Sequence, residues 1–339
     1  MRRFIHTAGL LTLFLSLAAV AQQYQVTGRI PLEGDSGWDY LLADPGSGQL
    51  FVSHGTEVDV IDLASEKPTA QITGMKRIHG IAVAGDLNRG FISDGGDDAV
   101  VIFDLKSHAI LQKVTAGKNP DGLLYDPFSK RVFAFNGRSN DATAIDAASG
   151  KVAGTIPLDG KPEFPASDGK GNVYVNIEDK NELVLLDPQS LKVKKTWSLS
   201  PCDEPSGLAL DPDGRRVFSV CSNKMMTVAD ADSGKVVATV PIGNGPDAAG
   251  YDPGTKLVFS SNGEGTLTVI KQDTPDKYTV LANVPTERSA RTMTLDPKTH
   301  KVYLSAAQLG PPPEATADNP HPRPKMVPGT FHILIVSSH

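Results

Sequence analysis

The sequence predicts an all-β fold, a seven-bladed β-propeller closed by its N-terminal strand. Three observations predict it. One segment recurs seven times, every unit is built from short strands, and the two chain ends carry complementary parts of one unit. The clearest copies of the segment are Gly122–Asn136, Gly207–Val220 and Ala248–Asn262, which share an Asp-Pro turn followed by a Val-Phe strand. A period of roughly 40–45 residues made only of strands is the signature of a propeller.

The first residues stand apart from the repeat. Arg2 and Arg3 precede an apolar stretch, Ala8 to Val20, that is too short to span a bilayer. Ala19-Val20-Ala21 is a small-x-small cleavage site. Residues 1–21 therefore read as a signal peptide cleaved after Ala21, which implies a periplasmic or secreted protein. Residues 22–339 read as one propeller domain, with no membrane span. The chain has 33 Lys and Arg against 39 Asp and Glu. Losing Arg2 and Arg3 makes the mature chain more acidic still. An acidic chain without basic clusters speaks against a nucleic-acid partner, which needs a basic surface.

Each unit carries four apolar runs. In the third, the expected strands are Gly122–Tyr125, Arg131–Asn136, Asp141–Asp146 and Lys151–Ile156. Asp126-Pro127 and Ser149-Gly150 mark the turns, through fixed φ at Pro, permissive φ at Gly and Asx hydrogen bonds at Asp. Val, Ile, Phe and Thr fill the runs, as half-buried strands require. The first turn aligns at Asp44, Ala84, Asp126, Ser167 or Asp168, Asp211, Asp252 and Asp296. The fourth-strand copies Val152–Leu158 and Val236–Ile242 match Val26–Leu32 at the N-terminus. Phe331–Val336 resembles a third strand lacking its fourth. The N-terminal strand is thus expected to complete blade seven and leave no long open edge.

The runs Val173-Tyr174-Val175-Asn176, Phe133–Asn136 and Phe259–Asn262 resemble the Tyr-Val-Thr-Asn signature of the YVTN-repeat propellers. The chain as a whole is similar to the exported, YncE-like seven-bladed proteins of bacteria. The resemblance implies a periplasmic or secreted binding propeller and brings no catalytic residues with it. The Gly-His and Trp-Asp pairs of WD40 repeats and the tryptophan-docking repeats of quinoproteins are missing from the sequence.

In a propeller the first strands line the central channel. One residue per blade is expected at the channel mouth, just before the first strand: Asp39, His79, Asp121, Glu163, Ser206, Asp247 and Arg291. Two carboxylates about 7 Å apart repel by roughly 2 kcal/mol at an effective dielectric of about 20. His79 and Arg291, raised carboxylate pKa values or a bound divalent cation on Asp39, Asp121, Glu163 and Asp247 would offset that. The alternative is that the acids only receive backbone N–H groups at the strand start. The loops between second and third strands add Ser53, His54, Asp94, Asn136, Asn176, Asn223 and Asn262 to this face, the Asn as left-handed turn residues. His108 and His300 fall in turns and read as solvated.

Residues 308–330 form a Pro-rich insertion in blade seven, with His321, Arg323 and Lys325 interleaved. It is placed on the mouth face, as a gate, an anion-binding loop or a tether. Cys202 and Cys221 are the two cysteines. Strand pairing around the Asp211–Gly214 turn sets Glu204 opposite Cys221 and brings Cys202 to the same face, so a disulfide within blade five is expected. Closing a loop of this size contributes about 3 kcal/mol in the chain-entropy model.

The sequence holds no P-loop, dinucleotide fingerprint or zinc-protease motif. Three functions fit it. The first is an exported, monomeric binding or scaffold propeller that holds a small polar ligand, a metal or a protein partner at the channel mouth. The second is a metal-dependent lactonase or lyase with its cation at the mouth, His79 as base and Arg291 as oxyanion stabiliser. The third is an accessory subunit of an exported redox system.

Overall fold

Seven sheets of four antiparallel strands stand in a ring in the computed structural model, which describes residues 23–314 and 324–338. The expected leader 1–21 and the middle of the Pro-rich insertion, with His321 and Arg323, lie outside the described residues. Six blades are simple meanders. The seventh is completed by Tyr24–Pro31, which pairs antiparallel with His332–Ser338 and sets Ile30 opposite Ile333. The closure strand begins two residues before the expected Val26. Leu32, its expected last residue, still donates its N–H to the Phe331 carbonyl at 3.1 Å. Short 3-10 turns at Gly85–Leu87 and Glu178–Lys180 are the helical elements described, and none is long and apolar enough to cross a membrane.

In blade three the strands run Pro120–Asp126, Arg131–Asn136, Asp141–Asp146 and Val152–Pro157. The middle two match the sequence reading. The inner strand starts two residues earlier than expected, because a proline is tolerated at a strand's first residue. The second and third strands are buried on both faces, while outer strands such as Lys192–Ser198 are mostly exposed. This layering follows from the core, which is divided among the gaps between neighbouring blades. Phe51, Val58 and Val60 of blade one, for example, pack on Ile81, Ile92 and Phe103 of blade two. The same arrangement joins blade seven to blade one through Ile333, Ile335 and Leu50. Closing the ring therefore buries as much at the seam as elsewhere.

The turns obey a repeated hydrogen-bond rule. Between the third and fourth strands, Asp62, Asp104, Asp146 and Asp230 each accept both the N–H and the hydroxyl of a Ser three residues on. A left-handed residue follows: Gly150 and Gly234 as expected, but Glu66 and His108 in the other two. The first turns likewise place Lys130, Arg215, Lys256 and His300 at positive φ rather than glycine. His300 is not simply solvated, since its Nδ1 lies 2.7 Å from the buried Asp252 carboxylate of blade six. His108 similarly contacts Gln49 of blade one at 3.0 Å.

Toward the axis the blades converge until backbone meets backbone. A Cβ placed on Gly207 would lie 2.6 Å from the Ala248 Cα, and one on Gly80 would lie 2.5 Å from the Asp121 carbonyl oxygen. Neither obstacle is a flexible side chain. Gly207→Ala is expected to lower unfolding free energy by about 1–3 kcal/mol, the cost of forcing atoms into a filled interior. Gly85→Ala, where nothing lies within 4 Å, is expected to be near neutral. Urea denaturation of the two variants checks this, and equal midpoints would contradict the close inner packing.

Candidate functional site

Asp39, His79, Asp121, Glu163, Ser206 and Asp247 each occupy the second residue of an inner strand, and Arg291 lies two residues before the inner strand of blade seven. The sequence reading set all of them just outside the strands. The difference has a cause. In blades one to six the pairing register slips directly after the strand's first residue, as between Trp38 and Leu41 or Pro120 and Leu123. A bulge of this kind re-aims the side chain it carries.

The structure brings these side chains together in pairs. His79 Nδ1 lies 2.6 Å from Asp39 Oδ2 and 3.8 Å from Asp121 Oδ1. Arg291 contacts Asp247 directly and lies 3.8 Å from Asp39. Ser206 differs: its hydroxyl donates to the Pro246 carbonyl at 3.3 Å. Glu163 is matched by Lys161 at 2.5 Å, and Lys161 also reaches Glu178. Lys161 was missed in the sequence. Its signal is position, two residues ahead of the ring residue in blade four.

In three blades the residue after the ring position is Gly80, Gly122 or Gly207, where a side chain would meet the next blade's backbone. In blades one and four it is Tyr40 and Phe164. These two rings stack with centroids 4.5 Å apart at 29°. The Tyr40 hydroxyl reaches toward blade three, within 3.4 Å of the place a Gly122 Cβ would occupy. We read this aromatic pair, which joins blades one and four, as the floor of a blind cup at the mouth. The phenol oxygen is buried there without a hydrogen-bond partner among the described residues.

Burial dominates the titration of this cup. It pushes Asp121 up to about 6, with Asp39 adding to the rise and His79 opposing it. Burial likewise pushes Asp247 up to about 6 against the pull of Arg291. Glu163 is pushed up to about 8, by burial and the Asp121 charge against Lys161. The Tyr40 phenol is held well above its usual range by burial and the surrounding carboxylates. Burial pulls the His79 imidazole down, yet the Asp39 hydrogen bond and the Asp121 charge outweigh it and leave it raised.

Asp39, His79 and Asp121 offer ligand atoms within 4.8 Å of one another, a donor set that suits a hard divalent cation. Glu163 and Asp247 stand apart from this group, each on its own cation. His54, Glu57 and Asp59 form a second such cluster at the end of blade one. There His54 Nδ1 lies 3.0 Å from Asp59, and its Nε2 is buried without a partner among the described residues.

The asparagines are not turn residues of left-handed φ. Asn136, Asn176 and Asn262 end or nearly end their second strands, fully buried, and none has positive φ. Asn176 donates to the Ser206 carbonyl at 2.9 Å and accepts from the Ser219 hydroxyl at 2.8 Å, tying blade four to blade five beneath the ring. Asn136 and Asn262 bond threonines in their own blades. Asp94 is buried under Lys113 at 2.9 Å, Ser53 donates to the Tyr40 carbonyl at 2.8 Å, and Asn223 donates to the Pro201 carbonyl at 2.7 Å. Cys202 and Cys221 are disulfide-bonded at the mouth end of blade five, with S–S 2.06 Å. Pro205, not Glu204, pairs with Cys221: the turn pairs Asp211 with Arg216, a register that alone would set Ser206 opposite Cys221, and the bulge takes back one residue.

The stems of the Pro-rich insertion rise on the mouth face, as expected. Leu309 pairs with Met326, and the Gly310 N–H donates to the Lys325 carbonyl at 2.8 Å. Beneath them a cavity of about 700 Å³ opens between blades six, seven and one, walled by Trp38, Asp247, Arg291 and Met326 among others.

No protein-family model matches this chain, and no curated protein matches it. Solved structures do. A chain of Kuenenia stuttgartiensis hydrazine synthase is 19% identical over 80% of this chain and 94% of its own, with a TM-score of 0.69. The WD40 repeats of RRP9 are 9% identical over 94% and 100%, with a TM-score of 0.78. U3-55K is 10% identical over 93% and 98%, with a TM-score of 0.76. At such identities the likeness shows the propeller fold alone.

The raised carboxylates set the sign of a pH effect. A group with a raised folded pKa stabilises fully below its unfolded pKa, and that stability is lost as pH climbs through the folded value. Asp121, Asp247 and Glu163 should therefore lower the thermal midpoint between pH about 4.5 and 9. Glu163→Gln keeps the shape and removes the charge, while Lys161 retains Glu178. It is expected to raise the midpoint by several degrees at pH about 9 and to change it little at pH about 4.5. A midpoint unchanged at both pH values would contradict the burial of Glu163.

Proposed function

We propose that this chain is an exported, monomeric binding propeller of the YVTN-repeat, YncE-like kind, which holds a small polar ligand in the mouth cup or presents that cup to a protein partner. The observation that carries the reading is the blind cup itself. Six inner strands and the segment before the seventh aim titratable and polar side chains at one opening, above the stack of Tyr40 on Phe164. Groups held this way face an incoming ligand and not a through-channel. The leader-like first residues and the Cys202–Cys221 bond support an oxidising, exported setting.

The binding reading takes precedence over a metal-dependent lactonase or lyase. Two of the four carboxylates that a cation would need, Glu163 and Asp247, are already matched by Lys161 and Arg291. Asp39, His79 and Asp121 would still hold a divalent cation as a structural or ligand-bridging ion.

Thermal shift against amino acids, sugar acids and divalent cations tests the proposal, with Asp121→Asn and Arg291→Gln as controls. At least one class is expected to raise the midpoint of the wild type by about 2 °C or more, and less in the variants. Hydrolysis of a lactone or ester panel by the metal-loaded protein, with no midpoint raised by any ligand, would replace binding with catalysis.

A further inference from the structure

The cavity between blades six, seven and one differs in charge from the rest of the molecule. The chain carries a net charge of −6, yet Arg288, Arg291 and Lys325 line this cavity against Asp35 and Asp247. Asp247 is taken by Arg291. Asp35 accepts the Gly329 N–H at 2.8 Å. Among the described residues no side-chain or backbone group pairs with the Arg288 guanidinium or the Lys325 ammonium. Two cations are thus left facing one opening.

One wall is flat and apolar. Trp38 lines the cavity and stacks on Phe331, with centroids 5.3 Å apart at 27°, so its indole is fixed in place. Its Nε1–H is buried and has no hydrogen-bond partner among the described residues. Buried donors of this kind are nearly always satisfied, and a molecule bound in the cavity can supply the acceptor. Leu309 and Met326 complete the wall, held by their own backbone pairing. A volume of about 700 Å³ suits a small organic molecule.

We propose that this cavity binds an organic carboxylate with a flat apolar body. The body lies against Trp38 and Met326, and the carboxylate takes the charges of Arg288 and Lys325. The Asp35 and Asp247 carboxylates nearby repel a dianion and so disfavour a phosphate monoester. The proposal rests on the reading of the mouth as a binding site and names the ligand class for it.

Fluorescence separates the two claims. The chain has two tryptophans, so Trp197→Phe leaves Trp38 as the sole indole reporter. Phenylacetate, phenylacetamide and phenyl phosphate serve as probes. Phenylacetate is expected to change Trp38 emission saturably, with phenylacetamide at least about tenfold weaker, as loss of charge-assisted bonds implies. Arg288→Ala with Lys325→Ala, both exposed positions, is expected to weaken phenylacetate about tenfold and leave phenylacetamide unchanged. Equal binding of acid and amide, tighter binding of phenyl phosphate, or an unaffected double variant would overturn the proposal. A silent Trp38 beside a ligand that still raises the midpoint would sink this cavity's role and leave the cup reading standing. A silent Trp38 with no ligand raising the midpoint would sink both.

Discussion

Ring closure is the constraint on which the rest of this molecule depends. Seven sheets must meet at one axis, and their inner strands come close enough that Gly80 and Gly207 cannot carry a side chain without meeting a neighbour's backbone. The closure itself rests on the pairing of Tyr24–Pro31 with His332–Ser338. That pairing turns the two chain ends into a seam with a core like the other six. Without it, blade seven would expose a strand edge and the apolar faces of both terminal strands to water.

The same convergence produces the chemistry. A bulge after the first residue of six inner strands sends one side chain per blade toward the axis, whatever its charge. The result is a set of carboxylates too close and too dry to remain ionised without help. Lys161 and Arg291 neutralise two of them, and His79 bridges two more. The raised pKa of Glu163, about 8, reflects what those partners leave uncompensated. A cup built this way is costly for an empty protein near neutral pH, and protons or a cationic group would relieve the cost. Toward blades six and seven the balance reverses, with Arg288 and Lys325 left unmatched among the described residues beside Trp38. The mouth is acidic on one side and basic on the other.

Much of this was legible in the sequence. The Asp-Pro turns and Val-Phe strands repeat with one period, which fixes blade number, and Val26–Leu32 repeats Val236–Ile242, which identifies the closing strand. One residue per blade at the mouth followed from strand position alone. What was not legible depends on three dimensions. The turn that pairs Asp211 with Arg216 and the bulge that takes back one residue together set Pro205, not Glu204, opposite Cys221, and no residue type announces either. Tyr40 and Phe164 are ordinary strand residues until ring geometry sets them face to face across the axis. Asn136, Asn176 and Asn262 read as turn formers by type, but their burial converts them into bonds within and between blades. Lys161 was hidden because it belongs to a loop, although both its partners, Glu163 and Glu178, lie in its own blade.

The central claim is that the mouth is a closed cup built to hold a molecule. Electron density at the mouth of protein crystallised directly from the cells that produce it tests this most directly. The account predicts non-protein density in contact with Trp38 and Arg291, above an intact stack of Tyr40 on Phe164. A channel open past those rings, or a cup filled by the chain's own side chains, would contradict it.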